Sequence, residues 1–163
     1  MKDTFGMSDA KYLHDVFLKS MKAFADNGCV NYILLSGGID SLCVLYGIDE
    51  LKLPYKVINF KFPDRESIDT NSVKALEKKM GFDVEYITLE ADNMNDIREA
   101  IKICRQLFSR VRQVKVETIY AMLQLRKHIP KGVNILSGFG GDGACCYHKK
   151  DAILITKSSN STL

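Results

Sequence analysis

The stretch from Val30 to Ser41, reading Val-Asn-Tyr-Ile-Leu-Leu-Ser-Gly-Gly-Ile-Asp-Ser, constrains this chain more than any other part of it. An apolar run of strand type ends in a small polar turn with two glycines. A second apolar run of helix type, with Leu42, Val44, Leu45 and Ile48, follows at once. A strand, a glycine turn and a helix in this order are how α/β proteins build an anion site. Glycine lets the backbone approach the anion closely, and the helix start offers unpaired N–H groups and the positive end of its dipole. Ser36 and Ser41 add hydroxyl donors, and Asp40 adds a carboxylate able to hold a divalent cation. The stretch is neither of the commoner phosphate loops. Asp40-Ser41 stands where the Walker loop has Lys-Ser/Thr, and the stretch carries no G-x-G-x-x-G.

Ser36-Gly37-Gly38-Ile39-Asp40-Ser41 resembles the S-G-G-x-D-S signature of the PP-loop ATP pyrophosphatases, which adenylate their substrates and release pyrophosphate. The fixed positions of that signature are all present. A second glycine turn, Leu136-Ser137-Gly138-Phe139-Gly140-Gly141-Asp142-Gly143, follows the fourth predicted strand. It is similar to the L-S-G-x-G-x-D-E motif of asparagine synthetases and β-lactam synthetases. Leu136, Ser137, Gly138, Gly140 and Asp142 stand in the matching places, and Tyr147 falls near that motif's aromatic. The resemblance runs from about Val30 to Tyr147. It implies that Asp40 and Asp142 are the catalytic pair and hold Mg²⁺ bridging the phosphates of ATP. It implies that Ser36, Gly37, Gly38 and Ser41 cradle the pyrophosphate, with Gly138 and Gly140 in the second nucleotide-binding turn. Adenine would sit against Leu35 and the end of the second strand, Asn59, Phe60 and Lys61. Physical reasoning runs the same way, since two carboxylates at the carboxyl ends of neighbouring strands can face one cation, and Mg²⁺ needs only one or two from the protein.

Along the chain, Ser8 to Asp26 reads as an amphipathic helix with a stripe of Leu13, Val16, Phe17, Met21 and Phe24. The helix after the glycine turn is expected to run to about Lys52, stopped by Leu53-Pro54. Tyr55 to Phe60 is the second strand, and Ser67 to Met80 a helix ended by Gly81. Val84 to Leu89 alternates as a third strand. A capping cluster of Asp92, Asn93, Asn95 and Asp96 opens a helix through Ile97, Ile101, Cys104 and Phe108. Ser109 to Gln113 is a break, and a further helix runs from about Val114 to His128. Val133 to Ser137 is the fourth strand and Ala152 to Thr156 a short fifth. Strands alternating with helices mean a parallel sheet with helices on both faces, and ligands at the carboxyl ends of its strands. The fold class is therefore α/β: a single three-layer α/β/α domain with a five-stranded, mainly parallel, doubly wound sheet. That is the arrangement of the adenine nucleotide alpha hydrolase-like proteins. Residues 1–29 form an N-terminal helix packed on the domain, 30–157 the PP-loop domain, and 158–163 a frayed tail.

Composition excludes several classes. The chain has 163 residues, 46% of them hydrophobic and 26% charged, which suits one core and argues against disorder. No stretch approaches the ~20 apolar residues of a membrane span. Five cysteines are scattered without a C-x-x-C pair, so neither a disulfide framework nor a zinc ribbon is indicated, and a cytoplasmic location is expected. Cys43 and Cys104 read as small core residues, and His14 as a boundary histidine. The net charge of +3 permits anionic ligands without demanding nucleic acid. A basic group, Arg98, Lys102, Arg105, Arg110, Arg112 and Lys115, reads mostly as a solvated face. Arg110 and Arg112 in the break are the better candidates for touching an anionic substrate.

The expected function is that of an ATP- and Mg²⁺-using ligase that adenylates a substrate oxygen and lets an amine displace AMP. Two alternatives stay open: a subunit or sensor that holds ATP or AMP without turnover, and a nucleobase- or tRNA-modifying enzyme. The first gains from Gly143, which replaces the acidic residue of the motif. No glutaminase segment precedes the domain, so ammonia would come from a separate source. The chain ends soon after Asp142, so a partner or a homodimer is expected to cover the cleft. The expected partners are thus a small-molecule substrate and such a covering chain, with neither nucleic acid nor a membrane required.

Overall fold

In the computed structural model, residues 7–64, 66–90 and 93–138 are described. Four strands, β1 (Asn31–Leu34), β2 (Tyr55–Lys61), β3 (Val84–Thr88) and β4 (Asn134–Ser137), form one sheet in the order β3-β2-β1-β4. Every pairing is parallel, with Leu34 level with Ile58 on one side and with Ser137 on the other. A helix separates each strand from the next, so each chain return is a crossover and the strands run one way. The order reverses beside β1: β2 and β3 lie on one side of it and β4 on the other. Loops leaving β1 and β4 thus diverge from the same edge, which is where open parallel sheets leave a crevice.

Alternation along β1 feeds two cores. Ile33 and Leu35 face one side, where they meet Ala25, Leu45, Ile48, Val57 and Val73. Tyr32 faces the other, with Ile58, Ile87 and Leu125. The helices supplying the first side are α1 (Met7–Ala25), α2 (Ile39–Glu50) and α3 (Ile68–Met80). On the second side α5 (Gln113–His128) contributes Leu125, and α4 (Met94–Leu107) packs against α5. The three-layer α/β architecture follows. The expected fifth strand at Ala152 to Thr156, with Gly140, Asp142, Tyr147, Cys145 and Cys146, lies outside the described residues.

Local chemistry sets the boundaries. Ser67 caps α3 by accepting a hydrogen bond from Thr70 N at 3.0 Å, and Gly81 closes it at φ +75°. Asn93 caps α4 through Asp96 N at 3.1 Å. An asparagine trio pins the amino end of the sheet. Asn31 is fully buried, donates to Ala25 O and Pro54 O, and accepts from Asn134 at 2.9 Å. Asn134 and Asn27 exchange two further bonds of 3.0 Å.

Two expectations need correction. The α1 stripe is only partly covered: Leu13, Val16 and Phe24 remain 53%, 44% and 75% exposed. The inner edge of the helix docks where Phe17 and Met21 crowd the bare backbone of Gly47 on α2. Cys43 is exposed rather than part of the core, because Ser41, Leu45 and Ile48 occupy the inward face of α2. Cys104 is buried as expected.

Candidate functional site

The glycine turn leaves β1 at the carboxyl edge of the sheet, and its last three residues, Ile39, Asp40 and Ser41, form the first turn of α2. Among the described residues no side chain caps this helix; the first helical bond is Leu42 N to Gly38 O at 3.1 Å. The amides of the first turn are therefore presented, with the positive end of the dipole, at the rim of the sheet. The two serines of the turn are tied together. Ser36 N donates to Ser41 Oγ at 3.2 Å, the two hydroxyl oxygens lie 3.2 Å apart, and Ser41 Oγ donates to Gly38 O at 2.9 Å. Ser41 is nearly buried, whereas Ser36 lies open to solvent.

The glycines divide the work. Gly37 has φ +80°, and a Cβ there would lie 2.7 Å from Ser72 Cβ on α3. Among the described residues Gly38 would meet only Ser36 Oγ, at 3.4 Å. Gly138, just beyond β4, is pressed on the start of α2: a Cβ on it would stand 2.4 Å from Ser41 N and 2.8 Å from Asp40 Cβ. The structure thus brings the start of the second glycine turn onto the first. Gly140 and Asp142 lie outside the described residues.

Asp40 is half-buried and has no hydrogen-bond or ion-pair partner among the described residues. Among the described residues no three His, Cys, Asp or Glu side chains converge on a metal position. A lone carboxylate beside anion-binding amides nevertheless fits Mg²⁺, whose shell is completed by phosphate and water. Leu35 is buried, and its carbonyl accepts from Asn59 Nδ2 at 2.8 Å. Asn59, placed by the resemblance at the adenine, is itself buried, and its Oδ1 accepts from Thr70 Oγ1 at 3.1 Å. Phe60 packs on the second core, and Lys61 O accepts from Leu89 N.

Sequence reasoning passed over Ser67, Thr70 and Ser72, the α3 residues that back the turn. Their only sequence signal is the Ser-x-x-Thr capping spacing. It also passed over a polar cluster beyond the end of β3. Lys127 Nζ lies 2.6 Å from Asp96 and 3.4 Å from Glu90, and Gln124 donates to Asp96 at 2.5 Å. The Asn93 hydrogen bond and the Lys127 charge hold the Glu90 carboxyl below its ordinary value, and the Asp96 contact raises Lys127. Gln124 Oε1 is buried without a partner among the described residues. The basic residues stand apart from the turn: Arg98, Lys102 and Arg105 line an open groove on α4 with Ile101 and Gln106, and Lys115 lies 3.8 Å over the Phe108 ring. Arg110 and Arg112 are exposed in the α4–α5 break.

The profile of the asparagine synthase family matches residues 13–161, both glycine turns included. This chain belongs to the asparagine synthase family. It is accordingly a PP-loop protein of the asparagine synthetase-like kind. Among solved structures, this family member is similar to a glutamine-dependent NAD+ synthetase from Acinetobacter baumannii in complex with ADP. Identity is 14% and the TM-score 0.55, over 91% of this chain and 29% of that one. The asparagine synthase family chain described here thus spans less than a third of that protein, and the likeness is one of fold. An NAD+ synthetase from Burkholderia pseudomallei matches more loosely, at 12% identity and a TM-score of 0.33 over 77% of this chain and 55% of that one. No curated protein matches.

Proposed function

We propose that this chain binds Mg·ATP at the carboxyl edge of its sheet and transfers AMP to a substrate oxygen of carboxylate or amide type. The observation that carries the reading is the uncapped first turn of α2, set under Ser36 to Ser41 and backed by Gly138, in a member of the asparagine synthase family. The complex of the Acinetobacter synthetase with ADP lends a nucleotide to the same fold.

The substrate oxygen attacks the α-phosphorus, the bond from that phosphorus to the bridging β-phosphate oxygen breaks, and pyrophosphate leaves. An amine then attacks the activated carbon and AMP departs. Backbone N–H groups of Ile39 to Ser41 and the hydroxyls of Ser36 and Ser41 bind the oxygens that become pyrophosphate, so their pull strengthens as that group gains charge. Gly38 leaves room for the phosphates to reach these amides. Asp40, joined by Asp142, would hold Mg²⁺, which supplies charge neutralisation on the leaving group. Closure of the cleft over the bound nucleotide would keep water from the adenylate.

The test is product analysis with ATP labelled at the α- and γ-phosphates, against pooled carboxylates and amines. Release of AMP and pyrophosphate is expected, and Asp40→Asn should lower Mg²⁺-dependent turnover by about a hundredfold or more. ADP and phosphate as products would overturn the reading. Nucleotide binding without pyrophosphate release under every substrate pool would reduce the protein to a binding subunit.

A further inference from the structure

The Leu35–Ser36 peptide is held at both of its polar ends. Its carbonyl accepts from Asn59 Nδ2 at 2.8 Å, and its N–H donates to Ser41 Oγ at 3.2 Å. Strand pairing does not need the first of these bonds. Leu35 N already donates to Ile58 O at 2.9 Å, completing the edge of the β1–β2 ladder. What the Asn59 bond controls is the tilt of one peptide plane, and that plane carries the N–H which engages the second serine of the turn.

Asn59 is in turn held in one orientation. Leu35 O can only accept, so the amide must present its nitrogen there and its oxygen to α3. Thr70 Oγ1 donates to that oxygen at 3.1 Å, with Phe60 O as a longer second acceptor at 3.3 Å, and Ser67 Oγ lies 2.9 Å from Thr70 Oγ1. Thr70 has a single hydroxyl proton, directed at the acceptors Asn59 Oδ1 and Phe60 O with the Asn59 contact the shorter, so Ser67 is the donor in their contact. The bonds run one way: Ser67 to Thr70, Thr70 to Asn59, Asn59 to Leu35. Both Thr70 and Asn59 are buried, so water does not compete for these groups. A second contact from the same helix, Ser72 against Gly37, supports the turn from below.

We infer that Asn59 and Thr70 are positioning residues for the phosphate turn, setting the Leu35–Ser36 peptide and through it the hydroxyls of Ser36 and Ser41. The inference rests on the nucleotide reading above for its effect on ATP, but its structural half can be tested without a ligand.

The experiment uses the full chain and three variants: Thr70→Val, which keeps the shape and removes the donor; Thr70→Ser, which keeps the donor; and Val73→Ala, a fully buried change on the same helix outside the relay. Amide exchange is read at Ser36 and Ile33, and Mg·ATP affinity by calorimetry below each variant's melting range. Thr70→Val should speed Ser36 exchange about tenfold with Ile33 unchanged, and weaken Mg·ATP by about tenfold. Thr70→Ser should stay within about twofold of wild type on both readouts. Val73→Ala should lower the melting temperature and leave affinity in place. Ser36 exchange unchanged in Thr70→Val overturns the relay. An equal loss of affinity in Val73→Ala also overturns it, by reducing the effect to general stability. If wild type binds no Mg·ATP but Ser36 exchange responds as expected, the relay stands and the nucleotide reading falls.

Discussion

Gly37 has φ +80°, and a Cβ built on it would lie 2.7 Å from Ser72 Cβ, whereas among the described residues one on Gly38 would meet only Ser36 Oγ at 3.4 Å. The two substitutions to alanine should therefore separate folding from binding. Gly37→Ala should cost on the order of 1–3 kcal/mol in denaturant titration, from the left-handed backbone and the collision with α3. Gly38→Ala should change stability by no more than about 0.5 kcal/mol. It should still weaken Mg·ATP on the order of tenfold or more, since the added methyl stands where the phosphates approach. Full affinity in a stable Gly38→Ala protein would show that the anion does not come to that side. The motif in the sequence marks both glycines alike; only the neighbour across the turn, Ser72, distinguishes them. Lys52 carries the same lesson in reverse. It adopts φ 53° just past the end of α2, where a glycine would be unstrained. Lys52→Gly should raise stability by about 0.5–1 kcal/mol, read from the unfolding midpoint.

Helix ends were legible where a side chain marks them. Ser67 and Gly81 bracket α3 within a residue of the expected span, and Asn93 opens α4. The start of α2 was not, because Gly38 caps it without a side chain and Ile39 to Ser41 read as turn. That missing cap is the feature that makes the site. For α1 the stripe gave the helix but not its burial, since period alone does not say how much of a face finds a partner. Its outer anchor is His14, whose Nε2 lies 2.9 Å from Glu50 on α2, with Asp15 at 3.6 Å from the other ring nitrogen. The Glu50 hydrogen bond and charge raise the His14 pKa above 6.5. The folded value exceeds the unfolded one, so the contribution is fully present below 6.5 and lost as pH rises through the folded value. Melting of wild type should therefore weaken slightly as pH rises above 6.5, relative to His14→Gln. Parallel pH curves for the two proteins would remove His14 from the α1–α2 contact.

At the scale of the whole molecule, alternation of strands and helices made the parallel α/β class readable, and the two glycine motifs pointed to a candidate site at one edge. Beyond the β1–β4 adjacency implied by a cation shared between Asp40 and Asp142, the neighbour order β3-β2-β1-β4 was not readable, because crossover handedness limits the topologies without choosing among them. What fixes β4 beside β1 includes the contacts of Asn134 with Asn27 and Asn31, pairs separated by 107 and 103 residues, with no local pattern to announce them. The sheet also divides the interior in a way that stability measurements can see. Ile48 and Ile33 belong to the core under α1, α2 and α3, while Leu125 belongs to the core on the opposite face. Ile48→Val should cost about 0.5–1.5 kcal/mol and Leu125→Ala about 2–5 kcal/mol. Their costs should add within about 0.5 kcal/mol, because the sheet stands between them and they share no packing neighbour. Ile48→Val with Ile33→Val should depart from additivity by about 0.5 kcal/mol or more, since a shift in one cluster relaxes both vacancies. The measurement is a pair of double-mutant cycles by denaturant unfolding. Coupling across the sheet as large as coupling within one face would mean that the strands move as part of a single deformable core, and the separation into two packed layers would have to be given up.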